Sequence, residues 1–153
     1  MLDIEKAVAK VLDNHVSAVH AKDVGANARL YDPKVRVFDA WGVWSNEGLE
    51  AWQRAVEAWF TSLGTERVKV TFEDVKSAGT AECAVVSAIV TYAGLSSEGK
   101  PLRAMQNRMT FSDLVARQQQ LGHLGEIPTF GRPVKYPHHI ESGVRPRLRR
   151  LFT

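Results

Sequence analysis

Residues 15–48 read HVSAVHAKDVGANARLYDPKVRVFDAWGVWSNEG, and the punctuation of this stretch decides the architecture. A helix carrying His15, Val16 and Val19 runs into the Lys22-Asp23 break. Asp23 suits the N-cap of a short second helix over 24–31, since its carboxylate can accept from free first-turn amides. That helix must stop before Asp32-Pro33, because the residue preceding proline disfavours helical backbone. Val35–Asp39 then alternates apolar and polar, as a half-buried strand does. Gly42 and the Ser45-Asn46-Glu47-Gly48 run read as turns.

Working outward, Ile4, Val8, Val11, Leu12, His15 and Val19 recur at helical spacing, so 3–22 forms one helix with an inward apolar stripe. Downstream, Leu49, Trp52, Val56, Trp59, Phe60 and Leu63 mark a second long amphipathic helix over 48–63, with Gly64 placed to stop it. The period then changes to two. Val68, Val70 and Phe72 alternate with Lys69, Thr71 and Glu73, and Gly79 marks a turn. Ala81–Tyr92 is so apolar that it reads as a central strand buried on both faces. Gly94–Gly99 is a hairpin loop and Leu102–Phe111 the next strand. Helices followed by a run of strands make an α+β domain.

Beyond residue 112 the pattern weakens, because Gly122, Gly125, Pro128, Gly131, Pro133, Pro137 and Pro146 argue against a long regular strand. One short strand is expected within 121–130, closing a domain over 1–130. Residues 131–153 are expected to be a basic, extended or partly disordered tail. Seven Lys/Arg and three acids fall in 113–153, leaving thirteen bases and fourteen acids in 1–112. The excess charge therefore sits at the end rather than over a face, which argues against a nucleic-acid-binding body. A single cysteine, Cys83, excludes an internal disulfide framework and a Cys-rich zinc site. His123, His138 and His139 lack acids at ligating spacing, so no metal is expected. The acidic, amphipathic start is unlike a secretory leader, and no stretch approaches the roughly 18 apolar residues of a membrane span. A cytoplasmic protein that binds neither membrane nor nucleic acid is the expectation.

His15, Lys22-Asp23, Tyr31-Asp32-Pro33, Val35–Asp39, Gly42 and Gly48 together resemble the ketosteroid isomerase and SnoaL-like polyketide-cyclase branch of the nuclear-transport-factor-2-like superfamily. The likeness covers about residues 1–112 and includes the aromatic pair Trp59-Phe60. The tail departs from it, since no tryptophan follows Trp59. The resemblance implies a cystatin-like cone: a curved antiparallel sheet wrapped around three N-terminal helices, enclosing one hydrophobic pocket. It also implies roles. Asp39 matches the isomerases' general base. His15 stands where they place a hydrogen-bonding tyrosine, and Asn107 where they carry an acid. Replacing that acid by an amide keeps a donor but removes the protonatable group, so steroid isomerisation itself is not expected.

The residues have plainer readings too. Asp39 could bond turn amides near Gly42, and His15 could be a buried histidine satisfied by a neighbour. Asn107, among Met105, Met109 and Phe111, must bond something if it faces inward, either a ligand or a side chain. Phe38, Trp41, Trp44, Trp59, Met105 and Met109 are the candidate pocket lining. Two functions follow. One is a cofactor-independent enzyme performing proton transfer, cyclisation or water addition on a small hydrophobic molecule. The other is a non-catalytic dimeric ligand-binding or assembly module. A homodimer is expected under both, through apolar residues of 68–72 and 84–92.

Overall fold

The computed structural model describes residues 4–38, 43–80, 83–113 and 125–134, with Asp113 and 125–134 described through their backbone. The order is α1 (Ile4–Ala21), α2 (Val24–Ala28), β1 (Arg36–Val37), β2 (Asn46–Glu47), α3 (Leu49–Ser62), β3 (Arg67–Gly79), β4 (Ala84–Leu95), β5 (Pro101–Asp113) and β6 (Gly125–Val134). Strands β3-β4-β5-β6 form one antiparallel sheet in sequence order, and β1-β2 make a separate two-stranded pair. Among the described residues no helix is long and apolar enough to cross a membrane.

Each helix begins and ends for a local reason. α1 stops at the Lys22-Asp23 break, where the Lys22 amide donates to the Val19 carbonyl and the Asp23 amide to the Ala18 carbonyl. This paired closure needs a left-handed residue, and Lys22 adopts it at φ 54°. Asp23 then caps α2, its carboxylate accepting from the Ala26 amide at 2.8 Å. α3 ends at Ser62, and Gly64 follows at φ 57°, a conformation that costs an L-residue about 1–2 kcal/mol. Lys22 Nζ donates to the Gly64 carbonyl at 2.5 Å, tying the two helix ends together.

The inward stripe of α1 buries Val8, Val11, Leu12, His15 and Val19 against β3. From the sheet come Val68, Val70, Val86, Val90, Met109 and Phe111; from α3, Val56 and Phe60. Tyr31, Val35 and Val37 close the core from the α2–β1 side. Fully burying side chains of this size is worth about 1.5–3 kcal/mol each.

Several strand expectations are corrected. β4 is central in the sheet but alternates in burial, with Val85 half-exposed and Ser87 exposed. Its outer face is covered by no other described layer, so the run of apolar residues does not mean burial on both sides. Asn46 and Glu47, expected as turn, form β2 opposite Val37 and Arg36. The first strand is only Arg36–Val37. β3 runs to Gly79 through a register shift between Glu73 and Lys76, where Asp74 takes φ 49°. β6 is a ten-residue strand that continues to Val134 despite Pro128 and Pro133. It lies at the sheet edge, where a missing amide removes no ladder bond on the open side. Residues 135–153, most of the expected basic tail, lie outside the described residues.

Candidate functional site

The inward face of β4 carries Val86, Ala88, Val90 and Tyr92, since alternate residues share a face. Register extends that face across the sheet. Phe72 opposes Val90, which opposes Asn107; Val70 opposes Tyr92, which opposes Met105; Ala88 opposes Met109. Asn107 is therefore the diagonal neighbour of Tyr92, a separation of roughly 7–8 Å between backbones. Helix α1 lies over this surface and lowers His15 onto it.

His15 is only 4% exposed. Its ring centroid is 6.0 Å from that of Phe72 and 6.3 Å from that of Tyr92. Nε2 and the Tyr92 hydroxyl are 3.3 Å apart, within hydrogen-bond reach. The second ring nitrogen, Nδ1, is buried and has no partner among the described residues. Burial pushes the imidazole down from 6.5 to about 4, because the charged form would lose its hydration among apolar walls. At neutral pH the ring is thus an uncharged group with one nitrogen engaged and one open.

Asn107 is also buried, at 8% exposure. The β5–β6 ladder shifts register between Gln106 and Arg108, and there the Asn107 carbonyl oxygen accepts from the Arg108 amide at 2.9 Å. That bond turns the oxygen back toward its own strand and leaves the amide NH2 as the group free to donate elsewhere. Met109 is buried and Met105 half-buried on the same face. Trp59 reaches in from α3, its ring meeting Tyr92 edge-on at 6.0 Å. Expected lining residues Trp59, Met105 and Met109 are therefore gathered with His15 and Asn107 on one face.

Two others are not. Phe38 shares the side of Arg36, opposite the buried Val35 and Val37, and its ring takes the Arg36 guanidinium at 4.6 Å. Strand alternation turns it away from the core. Trp44 is 87% exposed and lines no enclosed surface. Asp39 and Trp41 lie outside the described residues. Tyr92 and Phe72, in contrast, were not among the expected site residues. Parity with Val86 and Val90 points Tyr92 inward, and a lone tyrosine on an inward strand face is a signal the sequence did contain. Among the described residues no three of His, Cys, Asp and Glu converge as metal ligands would.

No family model matches the chain, and no curated protein matches it significantly. Solved structures do. A protein from Novosphingobium aromaticivorans, provisionally named a scytalone dehydratase, superposes at TM-score 0.67 with 11% identity, covering 90% of this chain and 89% of its own. An NTF2-like protein of unknown function from Pseudomonas putida gives 0.66 with 14% identity, over 80% and 84% of the two chains. A protein from Xanthomonas campestris, provisionally named a calcium/calmodulin-dependent protein kinase II association domain, gives 0.62 with 19% identity over 80% and 87%. At such identities the likeness speaks for architecture, and it agrees with helices leading into a curved antiparallel sheet. The chain has the nuclear-transport-factor-2-like fold, an α+β cone.

Proposed function

We propose that this chain is a cofactor-independent enzyme acting on a small, largely hydrophobic molecule by proton transfer, cyclisation or water addition. The observation that carries the reading is the open Nδ1 of His15. A buried polar atom left without a partner costs about 1–3 kcal/mol, and a guest that bonds Nδ1 would recover that cost. The Asn107 amide on the same sheet face would offer a second donor. Two neutral donors aimed at a substrate oxygen would stabilise negative charge as it develops there. Asp39 would be the base. Neutral donors flanked by Trp59, Met105 and Met109 suit an uncharged ligand with an oxygen at one end and apolar rings at the other.

The test is Asp39→Asn, assayed against a panel of cyclic ketones and hydroxylated aromatic compounds. Loss of a general base is expected to lower turnover 10²- to 10⁴-fold with the melting temperature unchanged. Unchanged turnover removes Asp39 from the mechanism.

A second reading has its own observation. The Asn107 oxygen is already occupied by the Arg108 amide, and His15 is already bonded to Tyr92, so both could be core residues of a non-catalytic dimeric module. That the Xanthomonas protein of the same fold is named an association domain supports this alternative. Under either reading a homodimer would use the outer sheet face. Val68, Val70 and Phe72 turn inward, so the apolar residues left for it are Val85, half-exposed, and Ile89, partly covered. Val85→Lys should then convert a dimer to a monomer in sedimentation analysis, and an unchanged mass would place the interface elsewhere.

A further inference from the structure

We propose that Tyr92 is a positioning residue: its hydroxyl donates to Nε2 of His15, places the ring proton on Nδ1, and so makes the open nitrogen a donor rather than an acceptor. The inference rests on reading His15 as a hydrogen-bond donor to a guest oxygen, and it supplies what that reading needs. A neutral imidazole carries one N–H and one bare nitrogen, and the bond made at one nitrogen decides the character of the other.

Three observations support the direction. Among the described residues, the Nε2–Tyr92 hydroxyl contact is the only hydrogen bond of the His15 ring. Of the two ways to make it, a phenol O–H donating to a bare ring nitrogen joins the stronger donor to the stronger acceptor. The reverse would ask a phenol oxygen, whose lone pair is shared with its ring, to accept from an imidazole N–H. Second, the ring stays uncharged at neutral pH, since burial holds its proton affinity low, so one of its nitrogens carries a proton and the other is bare. Third, Tyr92 is itself held from several sides. The Trp59 ring meets it edge-on at 6.0 Å, the His15 ring does so at 6.3 Å, and Val70 and Met105 oppose it on the flanking strands. A half-buried phenol held between these groups presents its hydroxyl to the His15 ring.

The consequence is chemical selectivity. With the proton on Nδ1, the open nitrogen takes an oxygen with lone pairs, such as a carbonyl. With the proton on Nε2, the same position would take a hydroxyl or amide donor.

The experiment is nitrogen-15 NMR of the histidine side chains at pH 7 on the full chain, with His15→Gln used to assign the His15 ring. The expected spectrum shows a protonated Nδ1 and a bare Nε2 in the wild type. In Tyr92→Phe the signals should move toward the opposite tautomer or toward an exchange-averaged mixture. A wild-type ring protonated at Nε2 overturns the proposal, as does a Tyr92→Phe ring that keeps the wild-type tautomer. If Tyr92→Phe fails to fold, the wild-type spectrum still decides where the proton is. A purely structural tyrosine would change stability without changing the tautomer. The readout needs no turnover, so it can fail while Asp39→Asn behaves as expected, or succeed while the enzymatic reading fails.

Discussion

His15 combines a mid-helix position, 4% exposure and a single polar contact, and this makes it a pH-dependent element of stability. Its folded value is about 4 against 6.5 unfolded, so between those limits the unfolded chain binds more protons than the folded one. Stability from this group is therefore full above pH 6.5, falls as pH drops toward 4, and levels off below that. The gap corresponds to about 3 kcal/mol. Urea unfolding of the wild type should show that loss between pH 6.5 and 4, and His15→Leu should remove most of the slope there. Equal slopes would mean the histidine titrates normally. Asn107 poses the contrasting case. Its oxygen has a clear backbone partner, so Asn107→Leu should cost about 1–3 kcal/mol by removing the bond that the side chain accepts from the Arg108 amide at the register shift.

Among the elements, hairpins and caps carry the local information. At the β3–β4 turn the Thr80 amide donates to the Cys83 carbonyl at 2.8 Å, which draws the backbone in against Gly79. A Cβ on Gly79 would lie 2.2 Å from the Cys83 carbonyl oxygen and 2.7 Å from the Ala84 Cα, both rigid main chain. Gly79→Ala should therefore cost about 1–3 kcal/mol as an overpacked site. Gly94→Ala is the control. There the three atoms nearest to a Cβ all belong to the Arg103 side chain, the first at 3.3 Å, and a flexible chain can give way. Chemical denaturation of the pair checks the difference, and equal losses would contradict the steric account. At the start of α2, Asp23→Ala should lower stability by about 1 kcal/mol through loss of the cap to Ala26. The same scale explains the misread strands. The apolar run in β4 suggested two covered faces, yet exposure depends on whether another layer lies above it. The prolines of β6 suggested no strand, yet an edge position tolerates them.

At the scale of the whole molecule, the four-stranded sheet is the scaffold against which α1 and α3 place His15 and Trp59, and β6 completes it. A chain ending at Val134 retains every paired strand among the described residues. It is expected to melt at the full-length temperature, which would make 135–153 an appendage to the folded body. A chain ending at Leu124 loses β6 and leaves the thirteen residues of β5 as an unprotected edge. It is expected to melt lower and to aggregate, because an open strand edge templates pairing with other chains. Circular dichroism melting and size exclusion of both truncations check this. A lowered melting temperature for the longer one would assign 135–153 to the folded core.

Hydrophobic period, capping residues and turn chemistry act over a few neighbours. For that reason the sequence by itself determined α1 with its inward stripe, the Lys22-Asp23 break, α3 with its stop at Gly64, and the change to strands at Val68. Those same patterns made the α+β order legible, and the resemblance carried by His15 to Gly48 supplied the expectation of a cone. What a strand face meets, and which nitrogen of a buried ring finds a partner, depend on residues far apart in the chain. Only the tertiary structure therefore decided that Tyr92 stands under His15, 77 positions away, that Phe38 turns to Arg36, and that Trp44 faces water.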